Sequence, residues 1–113
     1  MFETLTLNHV EKTTPDAVVL GFEVPDRLRD TFAWQAGQYL TLRSKIDGQD
    51  VRRSYSIAST DHDTLRVGVK QIEDGVFSSY AQGLSVGDTL DVMAPEGHFV
   101  LKDQQDIVLI AAG

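Results

Sequence analysis

Residues 51–59 read VRRSYSIAS and gather two cations, a phenol and three hydroxyls into nine positions. Arg53 and Tyr55 are two residues apart, so a regular strand carries both on one face, about 6.6 Å from each other. A guanidinium there can clamp a phosphate with two parallel bonds. The phenol ring offers a flat surface to a planar ligand. Arg52 and Ser56 fall on the opposite face of an ideal strand, so Ser56 reaches the same ligand only if the strand twists or ends there. A second stretch, DGVFSS at 74–79, places Gly75 before a helical pattern. Glycine permits close backbone approach, and a helix start exposes amides carrying partial positive charge. Two anion sites on neighbouring segments suit a diphosphate.

Plainer roles compete for the same side chains. Arg52 and Arg53 can pair with Asp47 or Asp50, and the stronger case for this is Arg52. Tyr55 can be a packing residue and Ser78 a helix cap. Lys70 is divided between solvent and ligand. His98 reads as a surface histidine, and APEGHF (94–99) as a structural turn that packs Phe99.

Composition narrows the chemistry. The chain has 113 residues, 42% of them hydrophobic and 24% charged, which fits a folded domain with one core. There are no cysteines, which removes disulfides, thiolate nucleophiles and cysteine-held zinc or iron–sulfur sites. His9, His62 and His98 are scattered, so no metal site is expected. A net charge of −7 opposes general nucleic-acid binding, and any basic site must be local. No apolar run reaches the roughly 18 residues of a membrane span. The first residues, MFETLTLNHVEKTT, resemble neither a secretory signal nor a transit peptide, so a cytoplasmic location is the expectation.

The elements that must hold these residues are mostly strands. Segments 2–14, 17–24, 37–46, 51–59, 64–72 and 88–95 alternate or are rich in β-formers. The first should bend. Asp47-Gly48 is a hairpin signal joining the third and fourth. Residues 26–32 suggest one helical turn, and 75–84 one short helix with Phe77, Tyr80, Ala81 and Leu84 on a face. Six short strands with one short helix predict an all-β protein, a six-stranded antiparallel Greek-key barrel. The final stretch, QQDIVLIAAG (104–113), looks like a strand buried on both faces, with a glycine where a nucleotide-binding turn would open.

In this order the pieces resemble the ferredoxin–NADP reductase family, and more narrowly the reductase components of bacterial oxygenases. The matching segments are GQYLTL (37–42), RRSYSIAS (52–59), VKQIEDGVFSSYA (69–81), APEGHF (94–99) and IVLIAAG (107–113). The resemblance implies an FAD-binding barrel over 1–103 and, from 104–113, the start of a truncated NAD(P)-binding α/β domain. It assigns Arg53 to the flavin's phosphate, Tyr55 to the isoalloxazine ring and Ser56 to hydrogen bonding near N5. It assigns the amides around Gly75, Val76, Phe77 and Ser78, with the Ser78 hydroxyl, to the pyrophosphate, and counts Val69 and Lys70 among the cofactor-binding positions. FAD is expected ahead of FMN, because the second anion site can serve the inner end of a dinucleotide. NAD(P)H would be the donor in the complete enzyme and an iron–sulfur centre or other carrier the acceptor. No catalytic acid–base pair or nucleophile is required, since the cofactor carries the chemistry. A flavin-free barrel that binds a protein or small ligand is the competing expectation, with a nucleic-acid-binding barrel behind it.

Overall fold

Residues 2–59, 61–72 and 75–97 are described by the structure, a computed structural model. The alternating segments form β1 (Phe2–Thr14), β2 (Ala17–Glu23), β3 (Tyr39–Ile46), β4 (Gln49–Ser56), β5 (Arg66–Lys70) and β6 (Thr89–Met93). They make one antiparallel sheet in the order β4-β3-β6-β1-β2-β5. The sheet curls until its two end strands approach each other just past β4. There Ile57 bridges Val67, and the Ala58 N–H donates to the Arg66 carbonyl at 2.8 Å. The expected six-stranded barrel is therefore present in curled, partly closed form. Residues 98–113, including His98, Phe99 and the apolar stretch 104–113, lie outside the described residues.

Each strand buries its apolar parity. Leu40 and Leu42 of β3, Val67 and Val69 of β5, and Leu90 and Val92 of β6 line the concave side. The bend expected in β1 is a β-bulge. Leu7 pairs with Phe22 and His9 with Gly21, which leaves Asn8 as the extra residue. One added residue reverses which parity faces inward. Leu5 and Leu7 point to the core before the bulge, and Val10 packs on it afterwards.

The hairpin between β3 and β4 has a two-residue turn, with φ of 52° at Asp47 and 80° at Gly48. Two left-handed residues give the twist that flanking strands need. Between β2 and β3, one 3-10 turn at Asp26–Leu28 is followed by irregular chain. This connection drops Leu28, Phe32 and Trp34 into one end of the barrel. The Trp34 indole donates to the Thr64 carbonyl at 3.0 Å and stacks on His62 at 4.5 Å.

The helix α1 (Val76–Ala81) is shorter than the 75–84 pattern suggested. It packs against β3, β4 and β5, with Phe77 and Ala81 buried. Among the described residues no helix is long and apolar enough to cross a membrane.

Candidate functional site

β4 pairs Arg53 with Leu42 and Tyr55 with Leu40. Directly opposed residues share a face, so both project from the concave side of the sheet, where Leu40 and Leu42 are buried. Arg52 pairs with Arg43 on the convex side and is absorbed there. Its guanidinium lies 3.4 Å from Asp50 and 5.3 Å from the centre of the Phe2 ring. Arg43 sits over the same ring at 3.9 Å and bonds Asp91 at 3.0 Å. Arg52 is thus the surface-paired arginine.

Arg53 has no such partner among the described residues. Its side chain is exposed, and among the described residues its one hydrogen bond runs to the carbonyl of Arg52 at 2.7 Å. Among the described residues no carboxylate lies within salt-bridge distance of it. A guanidinium without a carboxylate partner among the described residues, beside a half-buried phenol, keeps donors available. Burial raises the Tyr55 phenol above its ordinary value of 10.0, and the Arg53 charge pulls it partway back.

That shift carries a sign. Above about pH 10 the unfolded chain loses the Tyr55 proton before the folded chain does, so the folded state binds more protons and stability falls as pH rises. Tyr55→Phe removes this penalty. Thermal melts at pH 8 and about pH 11 should show the variant gaining on the parent at the higher pH. An unchanged difference between the two proteins would contradict the burial assigned to Tyr55.

β4 ends at Ser56, which is exposed and pairs with Tyr39 on the convex side. The next amide, Ile57 N–H, donates to the Gln38 carbonyl at 3.0 Å rather than continuing the ladder. Ser56 therefore stands where the strand stops, the condition under which its hydroxyl can leave the ideal alternation. Tyr39 is also held by reciprocal 3.0 Å bonds with Glu96, and the Gln38 amide donates to the Gly97 carbonyl at 3.2 Å. The described part of APEGHF is thus a structural return onto the start of β3.

The second segment meets the first through aromatic contact. Phe77 of α1 packs on Tyr55 with ring centres 5.9 Å apart. Val69 and Phe77 are buried, so a ligand could meet them only through the backbone. Lys70 is exposed on the face of β5 opposite Val69. Gly75 opens α1 with no side-chain cap. A Cβ at Gly75 would lie 2.5 Å from the Ser78 hydroxyl and 2.9 Å from the Ile72 carbonyl oxygen. Ser78 is buried, and its hydroxyl accepts from the Ile72 N–H at 3.0 Å while donating to the Gly75 carbonyl at 3.4 Å. Sequence reading saw the spacing of Gly75 and Ser78 but not this inward turn of the hydroxyl, which depends on how the loop folds back. Val76 and Ile72 are exposed apolar residues on either side of it.

A cleft of about 550 Å³ lies at the other end of the barrel, lined by residues including Asn8, Phe22, Arg29, Trp34, His62 and Leu65. No residue assigned to the cofactor lines it. The concave face of β4 is the stronger candidate, because a cation with no carboxylate partner among the described residues and a planar side chain share it, and the helix that Gly75 opens packs on it through Phe77. Sequence reading missed the cleft because its walls come from irregular connections without periodicity. Among the described residues no cluster of metal-ligating side chains occurs.

Comparison with known proteins identifies relatives of the whole barrel. One component of the 1,2-phenylacetyl-CoA epoxidase of Escherichia coli is 42% identical over 118 aligned residues, covering 99% of this chain and 33% of that protein. The ferredoxin reductase component of the 3-ketosteroid-9-alpha-monooxygenase of Rhodococcus rhodochrous is 40% identical over 114, covering 96% and 32%. The chain thus spans about a third of the length of these relatives. The fold is similar to a ferredoxin NADP+ reductase from Neisseria gonorrhoeae solved with bound FAD and NADP. That likeness has a TM-score of 0.75 at 23% identity, over 89% of this chain and 40% of the other. Residues 4–101 match the family described as the oxidoreductase FAD-binding domain, and with nearly the whole described barrel inside that match, the chain belongs to this family.

Proposed function

We propose that the concave face of β4, together with the turn into α1, holds FAD as the flavin half of an NAD(P)H-dependent oxidoreductase. The observation that carries the reading is the placement of Arg53, which has no carboxylate partner among the described residues, with a half-buried Tyr55 on one face. Arg53 clamps a phosphate, Tyr55 lies against the isoalloxazine, and Ser56 at the strand end bonds near N5. Along the second segment Val69, Lys70 and Gly75–Ser78 face the diphosphate, Val69 and Phe77 through their backbone. The Ser78 hydroxyl keeps the loop closed, so the approach to phosphate falls to amides of the turn. Gly75 fits this role because the turn leaves no room for a side chain there.

When bound, the flavin supplies hydride acceptance and single-electron release. This chain's residues bind it, fix its plane and shield one side from water. The ferredoxin reductase component among the relatives supports an iron–sulfur or similar acceptor. The ferredoxin NADP+ reductase with bound NADP supports a nicotinamide donor, and residues 104–113 would begin the domain that holds it.

Titration of the purified protein with FAD and with FMN tests the reading. The expected result is saturable quenching of flavin fluorescence, with FAD bound more tightly than FMN. A colourless protein that takes up neither would overturn it and favour a flavin-free ligand-binding barrel.

A further inference from the structure

Ser44 is a hydroxyl in an otherwise apolar row. It follows Leu40 and Leu42 on the concave face of β3 and precedes Ile46. A polar group in such a row needs a partner, and Ser44 Oγ donates to Tyr80 Oη at 3.3 Å. The Tyr80 ring meets Phe77 edge-on at 6.2 Å and 61°, and Phe77 in turn lies tilted against Tyr55 at 5.9 Å and 37°. Phe77 is 1% exposed, so it has little freedom to move independently of its neighbours.

A helix of six residues is unstable alone and must be held by tertiary contacts. Among the described residues, its other side-chain bonds lead to β5 or the loop after it. Ser79 meets Gln71, Ser78 meets Ile72, and Gln82 reaches the Val69 carbonyl. Among the described residues the Ser44–Tyr80 bond is the side-chain hydrogen bond that ties α1 to the β3–β4 hairpin, the element that carries Tyr55, beside the Phe77–Tyr55 packing.

We infer that Ser44 and Tyr80 are positioning residues, whose hydrogen bond fixes α1 against β3 and, through Phe77, sets the plane that Tyr55 presents to the flavin. The inference rests on the flavin-binding reading above and adds two residues to it. Neither touches the cofactor. Their effect passes through packed rings.

Ser44→Ala and Tyr80→Phe each remove one hydroxyl and keep the remaining shape, and the double variant removes the same bond once. In the flavin-free protein, NMR of the Tyr55 ring protons reports its position against Phe77. Both single variants should move those resonances. In titrations, each should weaken FAD about three- to tenfold, as expected for one neutral hydrogen bond, and raise the fluorescence of the bound flavin. The double variant should be no weaker than either single one. Tyr55 resonances and bound-flavin fluorescence identical to the parent's in both single variants would overturn the inference, as would effects that add. If the parent protein itself binds no FAD, the flavin reading fails, while the Tyr55 resonances still decide whether the tether positions that ring.

Discussion

Arg53→Ala should weaken FAD binding at least about tenfold, while Arg52→Ala should leave it nearly unchanged. The two residues are adjacent and chemically identical, so the difference comes only from the faces on which they lie. Arg52 is engaged by Asp50 and lies near the Phe2 ring on the convex side. Arg53 is on the Tyr55 side, where among the described residues only its neighbour's carbonyl is a partner. Removing a charge-assisted bond to phosphate costs about 1.5–3 kcal/mol, and about 1.4 kcal/mol is a factor of ten in affinity. Arg53→Lys should fall between, because an ammonium keeps the charge but loses the two-pronged geometry. Raising the salt concentration should narrow the gap between parent and Arg53→Ala, since the lost term is electrostatic. Fluorescence titration of each variant with FAD is the measurement. Equal affinities for the two alanine variants, or a weaker Arg52 variant, would reverse the face assignment.

Gly75→Ala should destabilise the fold and impair FAD binding together. The backbone at Gly75 has φ −83° and ψ 108°, ordinary values for any residue, so the cost is one of space. The added Cβ would stand 2.5 Å from Ser78 Oγ and 2.9 Å from the Ile72 carbonyl oxygen. Neither can withdraw freely. The hydroxyl is bonded to the Ile72 N–H, and the Ile72 carbonyl accepts from the Gly75 N–H at 2.8 Å. Forcing atoms into a packed site typically costs about 1–3 kcal/mol, and for a domain of this size about 4 °C of melting temperature accompanies each kcal/mol. Ser78→Ala in the same chain removes one of the two obstructions. The double variant should therefore melt above the value expected from adding the two single losses. A Gly75→Ala protein that melts with the parent, or a strictly additive double variant, would show that the turn yields without cost.

How far the sequence alone could reach varies with how local each cause is. The strands were legible because alternation is a local pattern. Leu40 and Leu42, or Val67 and Val69, announce a buried face within a few residues. Asp47-Gly48 announced its turn for the same reason. Tyr55 and Arg53 could be placed on one face from spacing, and Arg52 on the other. What could not be read depends on contacts between distant segments. Trp34, Phe32 and Leu28 cap the core from a connection with no period, and Trp34 finds its partner at Thr64. Arg43 and Asp91 meet across β3 and β6, and Ser44 meets Tyr80 across 36 positions. The strand drawn through residue 59 ends at Ser56, because Ile57 and Ala58 turn to Gln38 and Arg66 instead. The 75–84 helix shortens because its last turn leads into Gly83, whose N–H bonds the Tyr80 carbonyl.

The ladders of the sheet are unequal in length. Eight residue pairs join β3 to β4, and seven join β1 to β2. By contrast β3 meets β6 through two pairs, Leu42–Val92 and Arg43–Asp91, and β4 reaches β5 through the bridge after its end. The β3–β4 hairpin is thus stitched firmly within itself and by fewer pairs to the barrel on either side, where the Tyr39–Glu96 bridge adds to the two β3–β6 pairs. Such an element can detach as a cooperative unit below the free energy of global unfolding. Its amides should exchange with deuterium sooner than those of β1 and β2, and as a group. The hairpin is also the element that carries Arg53, Tyr55 and Ser56, so a ligand spanning it and α1 would fasten the lighter part to the heavier. Occupancy of the site would then be written in exchange rates across the whole hairpin, including amides on its convex side that no ligand touches.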